Sequence, residues 1–150
     1  MKKKIAIIGA GMAGLTCARE LVQQGHEVVV FEKSRGPGGR MPTRWIDRDA
    51  NPPVGFDHGT QYFQVSSPAF VDLIGHAQQA GAVAPWVGNV VNLGYGISSP
   101  HVSATTRWVG TPGMASLGRF MAQGLDVRLQ CRVAGVVRRD GMYQLTLHLA

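Results

Sequence analysis

IAIIGAGMAG, from Ile5 to Gly14, runs four apolar residues directly into three glycines at positions 9, 11 and 14. The continuous apolar run is the pattern of a strand buried on both faces of a parallel sheet. Behind the glycines, Leu15, Ala18, Leu21 and Val22 recur at helical spacing, and Gly25 stands where such a helix would stop. Val28, Val29, Val30 and Phe31 form a second apolar run that ends in Glu32. Strand, glycine turn, helix, strand and terminal acid together make the βαβ unit that holds dinucleotides. Gly9 permits the tight turn, Gly11 lets a pyrophosphate approach the backbone, and Gly14 lets helix pack on strand. The helix N-terminus adds N–H donors and partial positive charge. Glu32 stands 18 residues after Gly14, near the ~20 at which a carboxylate reaches ribose hydroxyls. A carboxylate there repels a 2′-phosphate, which disfavours NADP and leaves NAD and FAD both open.

Composition narrows the class. The chain has 150 residues, 45% of them hydrophobic, and a mean hydropathy of +0.01, enough to bury a core and unlike disordered or fibrous sequences. Its two cysteines, Cys17 and Cys131, are too few for a disulfide scaffold and read as small buried hydrophobes. The formal charge is +6, yet the basic residues are scattered and no nucleic-acid motif accompanies them. An anionic dinucleotide accounts for the loop arginines Arg35, Arg40, Arg44 and Arg48 as well as nucleic acid would. Lys2, Lys3 and Lys4 before an apolar stretch imitate a signal peptide, but glycines interrupt the stretch and no cleavage site follows. No run reaches the ~18 apolar residues of a membrane span. The expectation is a cytoplasmic protein with no membrane or nucleic-acid partner. The histidines show no metal-ligand spacing, so no metal is expected.

A second glycine motif follows the second strand: Gly38, Gly39, Arg40 and Met41. Further on stand Phe56, Asp57, His58, Gly59, Thr60, Gln61, Tyr62 and Phe63, and later Pro112, Gly113 and Met114. With GAGMAG and GGRM, these residues resemble the FAD-dependent amine-oxidase superfamily, and the later segments resemble its renalase family, in particular bacterial members. The resemblance covers essentially the whole chain but only the amino-terminal half of a family chain. It implies FAD as cofactor. Met12 and Ala13 would lie against the FAD pyrophosphate, Glu32 would hold the adenosine ribose with Lys33 beside it, and Arg40 would contact the pyrophosphate or ribityl region. Gln61 and Tyr62 would lie beside the isoalloxazine ring, and Val133 would offer backbone groups to the adenine. Gly39 and Arg35 belong to the same cradle. Arg40 also reads as a plain solvated arginine, and Tyr62 and Phe63 as core aromatics. In the implied reaction the flavin does the chemistry; Tyr62 and His58 are the only candidate catalytic side chains, and His58 reads more simply as a capping or surface residue.

The fold expected is α/β, a Rossmann-like FAD-binding domain of the glutathione-reductase and amine-oxidase type with the start of an inserted α+β substrate domain. Residues 1–66 carry the βαβ unit and the glycine-arginine loop, 67–110 begin the substrate domain, and 111–150 return to the cofactor domain. Ser67 and Pro68 open a helix to about Ala80 with Phe70, Leu73, Ile74 and Ala77 inward. Residues 83–108, with Val90, Val91 and Tyr95, are turn-rich and β-like. Thr111 and Pro112 open another helix, with Met114, Leu117 and Met121 inward. Val127, Leu129, Cys131 and Val133 alternate as one strand, and Asp140-Gly141 turns a hairpin into a strand carrying Tyr143, Leu145, Leu147 and Leu149. The chain stops at Ala150 in mid-pattern, which reads as truncation. The activity implied by the resemblance is oxidation of dihydronicotinamide isomers of NAD(P)H, a small-molecule substrate, with O₂ reduced to hydrogen peroxide. The alternatives are a flavin amine oxidase or desaturase, or a non-catalytic FAD-binding fragment.

Overall fold

A computed structural model describes residues 1–88, 91–94, 96–100 and 105–149. The elements are β1 (Lys4–Ile8), α1 (Met12–Gln23), β2 (Glu27–Phe31), β3 (Thr43–Asp47), β4 (Val54–Asp57), β5 (Phe63–Gln64), α2 (Pro68–Gln79) and β6 (Val83–Pro85). Then follow β7 (Val91–Gly94), β8 (Ile97–Pro100), β9 (Arg107–Gly110), α3 (Ala115–Ala122), β10 (Asp126–Arg128), β11 (Cys131–Arg139) and β12 (Met142–Leu149). β2 lies between β1 and β10, parallel to both. β5, β9 and β6 form an antiparallel sheet, and β3–β4, β7–β8 and β11–β12 are two-stranded.

The apolar runs behave differently in the sheet. Val28, Val30 and Phe31 of the central β2 are buried, as expected. β1 is not buried on both faces. Ile5 and Ile7 pack against the core while Ile8 is 57% exposed, because β1 pairs only with β2 among the described strands and one of its faces is bare. Leu15 and Ala18 of α1 are fully buried under this sheet, a contribution of roughly 1.5–3 kcal/mol for a side chain such as Leu15. Val22, expected on the same face, is 41% exposed, and Cys17 is exposed on α1; only Cys131 is buried. A 12-residue amphipathic helix on one side of a sheet buries a narrow stripe, and Cys17 falls outside it.

α2 starts as read: the Ser67 hydroxyl accepts from the Phe70 N–H, Pro68 follows, and Ile74 and Ala77 are buried. α3 starts later than Thr111-Pro112. Its cap comes from distant residues: the Met114 N–H donates to Asp57 Oδ1 (2.9 Å) and the Ala115 N–H to Thr43 Oγ1 (3.1 Å). Thr43 in turn donates to the same Asp57 oxygen at 2.6 Å, and the two face each other across the β3–β4 pair. Met114, Leu117 and Met121 are buried, as their spacing predicts.

The strand read through residues 126–133 is two strands. Gln130, with φ +53°, breaks the path after β10, and its N–H donates to Ser34 O. β10 therefore stays with β2 while β11 turns away to pair with β12. Alternating hydrophobicity continues through the break because it is blind to which neighbour a strand pairs with. The hairpin forms as expected, with Asp140 and Gly141 both at positive φ and Arg139 facing Met142, the signature of a primed turn. Along β12, Tyr143 and Leu149 are 69% and 80% exposed. Val90, Tyr95, His101 and Ala150 lie outside the described residues. Among the described residues no helix is long and apolar enough to cross a membrane.

α3 also packs on the loop after β2. A Cβ on Gly118 would stand 2.5 Å from Gly38 Cα and 2.9 Å from Gly38 N. Both obstacles are backbone, so Gly118→Ala should lower stability by about 1–3 kcal/mol. Alanine raises helix propensity by roughly 1 kcal/mol, so a urea midpoint that rises in this variant would contradict the contact.

Candidate functional site

The site grows out of the β1–α1 turn. Gly9 leaves β1 at φ +101°, and its N–H donates to Phe31 O at 2.7 Å, holding the turn against β2. Gly11 caps α1, and no side chain caps the helix or places an acid in its first turn. Met12, Ala13 and Gly14 therefore present a helix N-terminus whose donors and partial positive charge suit an anion. A Cβ on Gly14 would fall 2.0 Å from Gly9 O, so helix and turn approach as only glycine permits.

Glu32 lies at the end of β2 and is 6% exposed. The Ala10 N–H donates to its Oε2 (2.7 Å) and the Ser34 N–H to its Oε1 (2.8 Å), so the carboxylate ties the glycine turn to the chain leaving β2. Burial opposes its ionisation, but the Ala10 and Ser34 donors and the nearby Lys33 charge outweigh this and hold its pKa below the ordinary carboxylate value. On the far side, the Glu32 N–H donates to Arg128 O and the Cys131 N–H to Glu32 O, both at 2.8 Å. Half-buried Val133 follows two residues later on β11, at this same end of the sheet. Lys33 and Arg35 are exposed around it.

The second glycine motif is seated on the first. The Gly38 N–H donates to Ala10 O at 2.8 Å, and Gly39, at φ +60°, lies so close to Gly11 that a Cβ would be 3.0 Å from its Cα. Exposed Arg40 follows. The Thr60 N–H and hydroxyl both donate to Arg40 O, at 3.0 and 3.1 Å, which brings the Gly59–Tyr62 segment against this loop. Gly39, Arg40, Pro42, Gly59 and Thr60 line a cavity of about 440 Å³. Gln61 and His58 are exposed beside it, and Tyr62 is 38% exposed.

Close contacts thus join Gly9, Gly11, Gly14, Glu32 and Gly39 at the β1–α1 turn, with Met12 and Ala13 in the first turn of α1 and Arg40 at the adjoining cavity, while Met12 also lines a separate cavity between α1 and α2. Gln61 and Tyr62 stand at the cavity end, and Val133 at the Glu32 end. Asp57 and Thr43 were missed as residues that position the site. Their signal was the Asp two residues before Gly59, but the partner N–H groups lie 57 and 72 residues away.

Residues 7–77 match the family of the NAD(P)-binding Rossmann-like domain. The 4,4′-diapophytoene desaturase (4,4′-diaponeurosporene-forming) of Staphylococcus aureus, in strains Newman and USA300, is 58% identical over 38 residues, 25% of this chain and 8% of that protein. Putrescine oxidase with putrescine bound is similar in structure at a TM-score of 0.66 and 15% identity, covering 98% of this chain and 55% of that one. A double mutant of that oxidase gives a TM-score of 0.69 at 14% identity. The chain spans about half the length of these structures and matches a small part of the desaturases. Mixed α/β architecture, a Rossmann-like dinucleotide-binding domain and amine-oxidase-type neighbours agree at the level of the fold.

Because its folded pKa is lowered, Glu32 contributes stability above its unfolded pKa, about 4.3, and that stability is lost as pH falls through the folded value. Glu32→Gln turns an NH₂ toward one of the two N–H donors, and should cost about 1–3 kcal/mol at neutral pH. Urea titrations from neutral pH down to about pH 4 and below should show a shallower acid loss in the variant. Parallel acid limbs for the two proteins would refute the assignment.

Proposed function

We propose that this chain is the FAD-binding portion of a renalase-like oxidoreductase that oxidises dihydronicotinamide isomers of NAD(P)H to NAD(P)⁺, with O₂ as acceptor and hydrogen peroxide as product. The observation that carries the reading is the second glycine loop. Gly39 rests on Gly11 and carries Arg40 to a cavity beside the first turn, a second cradle in line with the phosphate turn. An NAD site has no need of it, whereas an elongated FAD does.

The residues present fit such a group. The uncapped α1 N-terminus and the close-packed Gly11 and Gly14 would take the pyrophosphate. Glu32, fixed by Ala10 and Ser34 and held ionised, retains acceptor capacity for ribose hydroxyls, with Lys33 and Arg35 adding charge at that end. Val133 would lie toward the adenine, Arg40 toward the pyrophosphate or ribityl chain, and Gln61 and Tyr62 toward the isoalloxazine. Bound FAD would accept a hydride and return the electron pair to O₂. The protein's part is binding, orientation and exclusion of water. No general base is assigned, because a dihydropyridine becomes aromatic on losing hydride; His58, exposed and without a described partner, fits a surface role. On this reading residues 1–66 and 111–150 form the cofactor unit and 67–110 begin the substrate unit, in a cytoplasmic enzyme.

The desaturase and putrescine oxidase likenesses support a second reading within the same superfamily: amine oxidase or desaturase. Anaerobic mixing of the FAD-loaded protein separates them. Isomerised NADH should bleach the visible flavin band within seconds, and putrescine should leave it unchanged. Rapid bleaching by the amine alone rejects the first reading, and failure to retain FAD leaves only a non-catalytic fragment.

A further inference from the structure

Arg107, the first residue of β9, lies against two aromatic rings. Its guanidinium carbon is 4.9 Å from the Tyr62 ring centroid and 5.8 Å from that of Trp86, and the two rings are 5.8 Å apart. Sheet register builds the cluster. Pro85 faces Trp108 on β9, so Trp86 comes opposite Arg107, and its N–H donates to Arg107 O at 2.8 Å. Gln64 faces Arg107 from the other side, which puts Tyr62 two residues along on the same sheet face.

Among the described residues no carboxylate pairs with this arginine. Its Nε is shielded from solvent, yet no acceptor among the described residues takes its proton. The described ion pairs, Lys4–Glu27 and Arg128–Asp126, do not involve it. The sequence contains no Asp or Glu anywhere from Leu73 to Leu125. A shielded donor without a partner is costly, and ring faces offset only part of that cost. The rings are not a sealed core either: Tyr62 is 38% and Trp86 45% exposed. Tyr62 also ends the segment whose Gly59 and Thr60 line the cavity at Arg40.

We propose that Arg107 selects substrate by charge, binding a phosphate group of the substrate beside Tyr62 and Trp86 and disfavouring ammonium-bearing molecules. This rests on the reading that places Gln61 and Tyr62 by the isoalloxazine. Electrostatic discrimination of this kind comes mainly from repelling the wrong partner. A diamine would meet Arg107 with no carboxylate in that whole stretch to receive it.

The test uses FAD-loaded protein, R107M and R107K, and two hydride donors: isomerised NADH and an uncharged N-benzyl dihydronicotinamide isomer. R107M should raise half-saturation for the dinucleotide roughly 10- to 100-fold, with the limiting bleaching rate nearly constant. R107K should recover much of the loss, and the uncharged donor should not distinguish the proteins. Equal shifts for both donors, or none, would overturn the role. FAD content and thermal melting check folding, and R107Q carries the comparison should R107M fail to fold. If neither donor bleaches the parent protein, the proposed function fails, and inorganic pyrophosphate titrated against tryptophan fluorescence still decides Arg107. Quenching that is lost in R107M and kept in R107K supports the anion site; no quenching in the parent, or equal quenching in R107M, overturns it.

Discussion

Backbone meets backbone where Gly39 lies on Gly11 and Gly38 lies on Gly118, and the rest of the site depends on this contact. A Cβ on Gly118 would require main chain to move, and one on Gly39 would press on Gly11 at 3.0 Å. The loop after β2 is thereby pressed between the β1–α1 turn and α3, and the Gly38 N–H locks it to Ala10 O. Arg40 inherits its place from that lock, and the Gly59–Tyr62 segment inherits its own from Arg40 O through Thr60. Positioning passes from one loop to the next through main-chain atoms, so precision here owes little to side-chain rotamers.

Carboxylates serve this construction as internal acceptors. Glu32 joins the glycine turn to the end of β2, and Asp57 receives both Thr43 and the Met114 N–H, capping α3 from across the fold. Each replaces water around backbone donors that would otherwise be stranded at an element's end. Capping α3 from Asp57 also fixes where Gly118 falls against Gly38. The two acids therefore sustain the glycine contacts from opposite sides.

Legibility in the sequence followed the range of the interaction. The glycine turn leading into α1, the Ser67 cap of α2 and the Asp140-Gly141 hairpin depend on residues a few positions apart and are legible in the sequence. The start of α3 is not legible locally because its cap lies at Asp57 and Thr43. The break at Gln130 is hidden because Val127, Leu129, Cys131 and Val133 keep one alternation while their hydrogen-bond partners change. Ile8 and Cys17 depart from expectation for another reason: periodicity predicts a face, and whether anything covers that face is a tertiary fact. The glycine loops were visible as motifs, but their mutual contact was not. The Arg107 cluster was invisible as a cluster, since Tyr62, Trp86 and Arg107 come from three separate strands or their ends.

The distribution of charge follows from how the acids are used. Glu32 and Asp57 face backbone donors, Asp47 accepts from the Asp49 and Ala50 N–H groups, and Glu27 and Asp126 sit in exposed ion pairs worth little. None of these is paired with Arg35, Arg40 or Arg107 among the described residues. Among the described residues only Lys4 and Arg128 stand in ion pairs, so Arg35, Arg40 and Arg107 share an unpaired state with most of the other cations behind the net charge of +6. Exposed Arg35 and Arg40 add positive potential beside the glycine loops, where helix α1 adds its own. Phosphates are the groups this field favours at the glycine loops. At its own end the ionised Glu32 opposes it, favouring hydroxyls over a further phosphate.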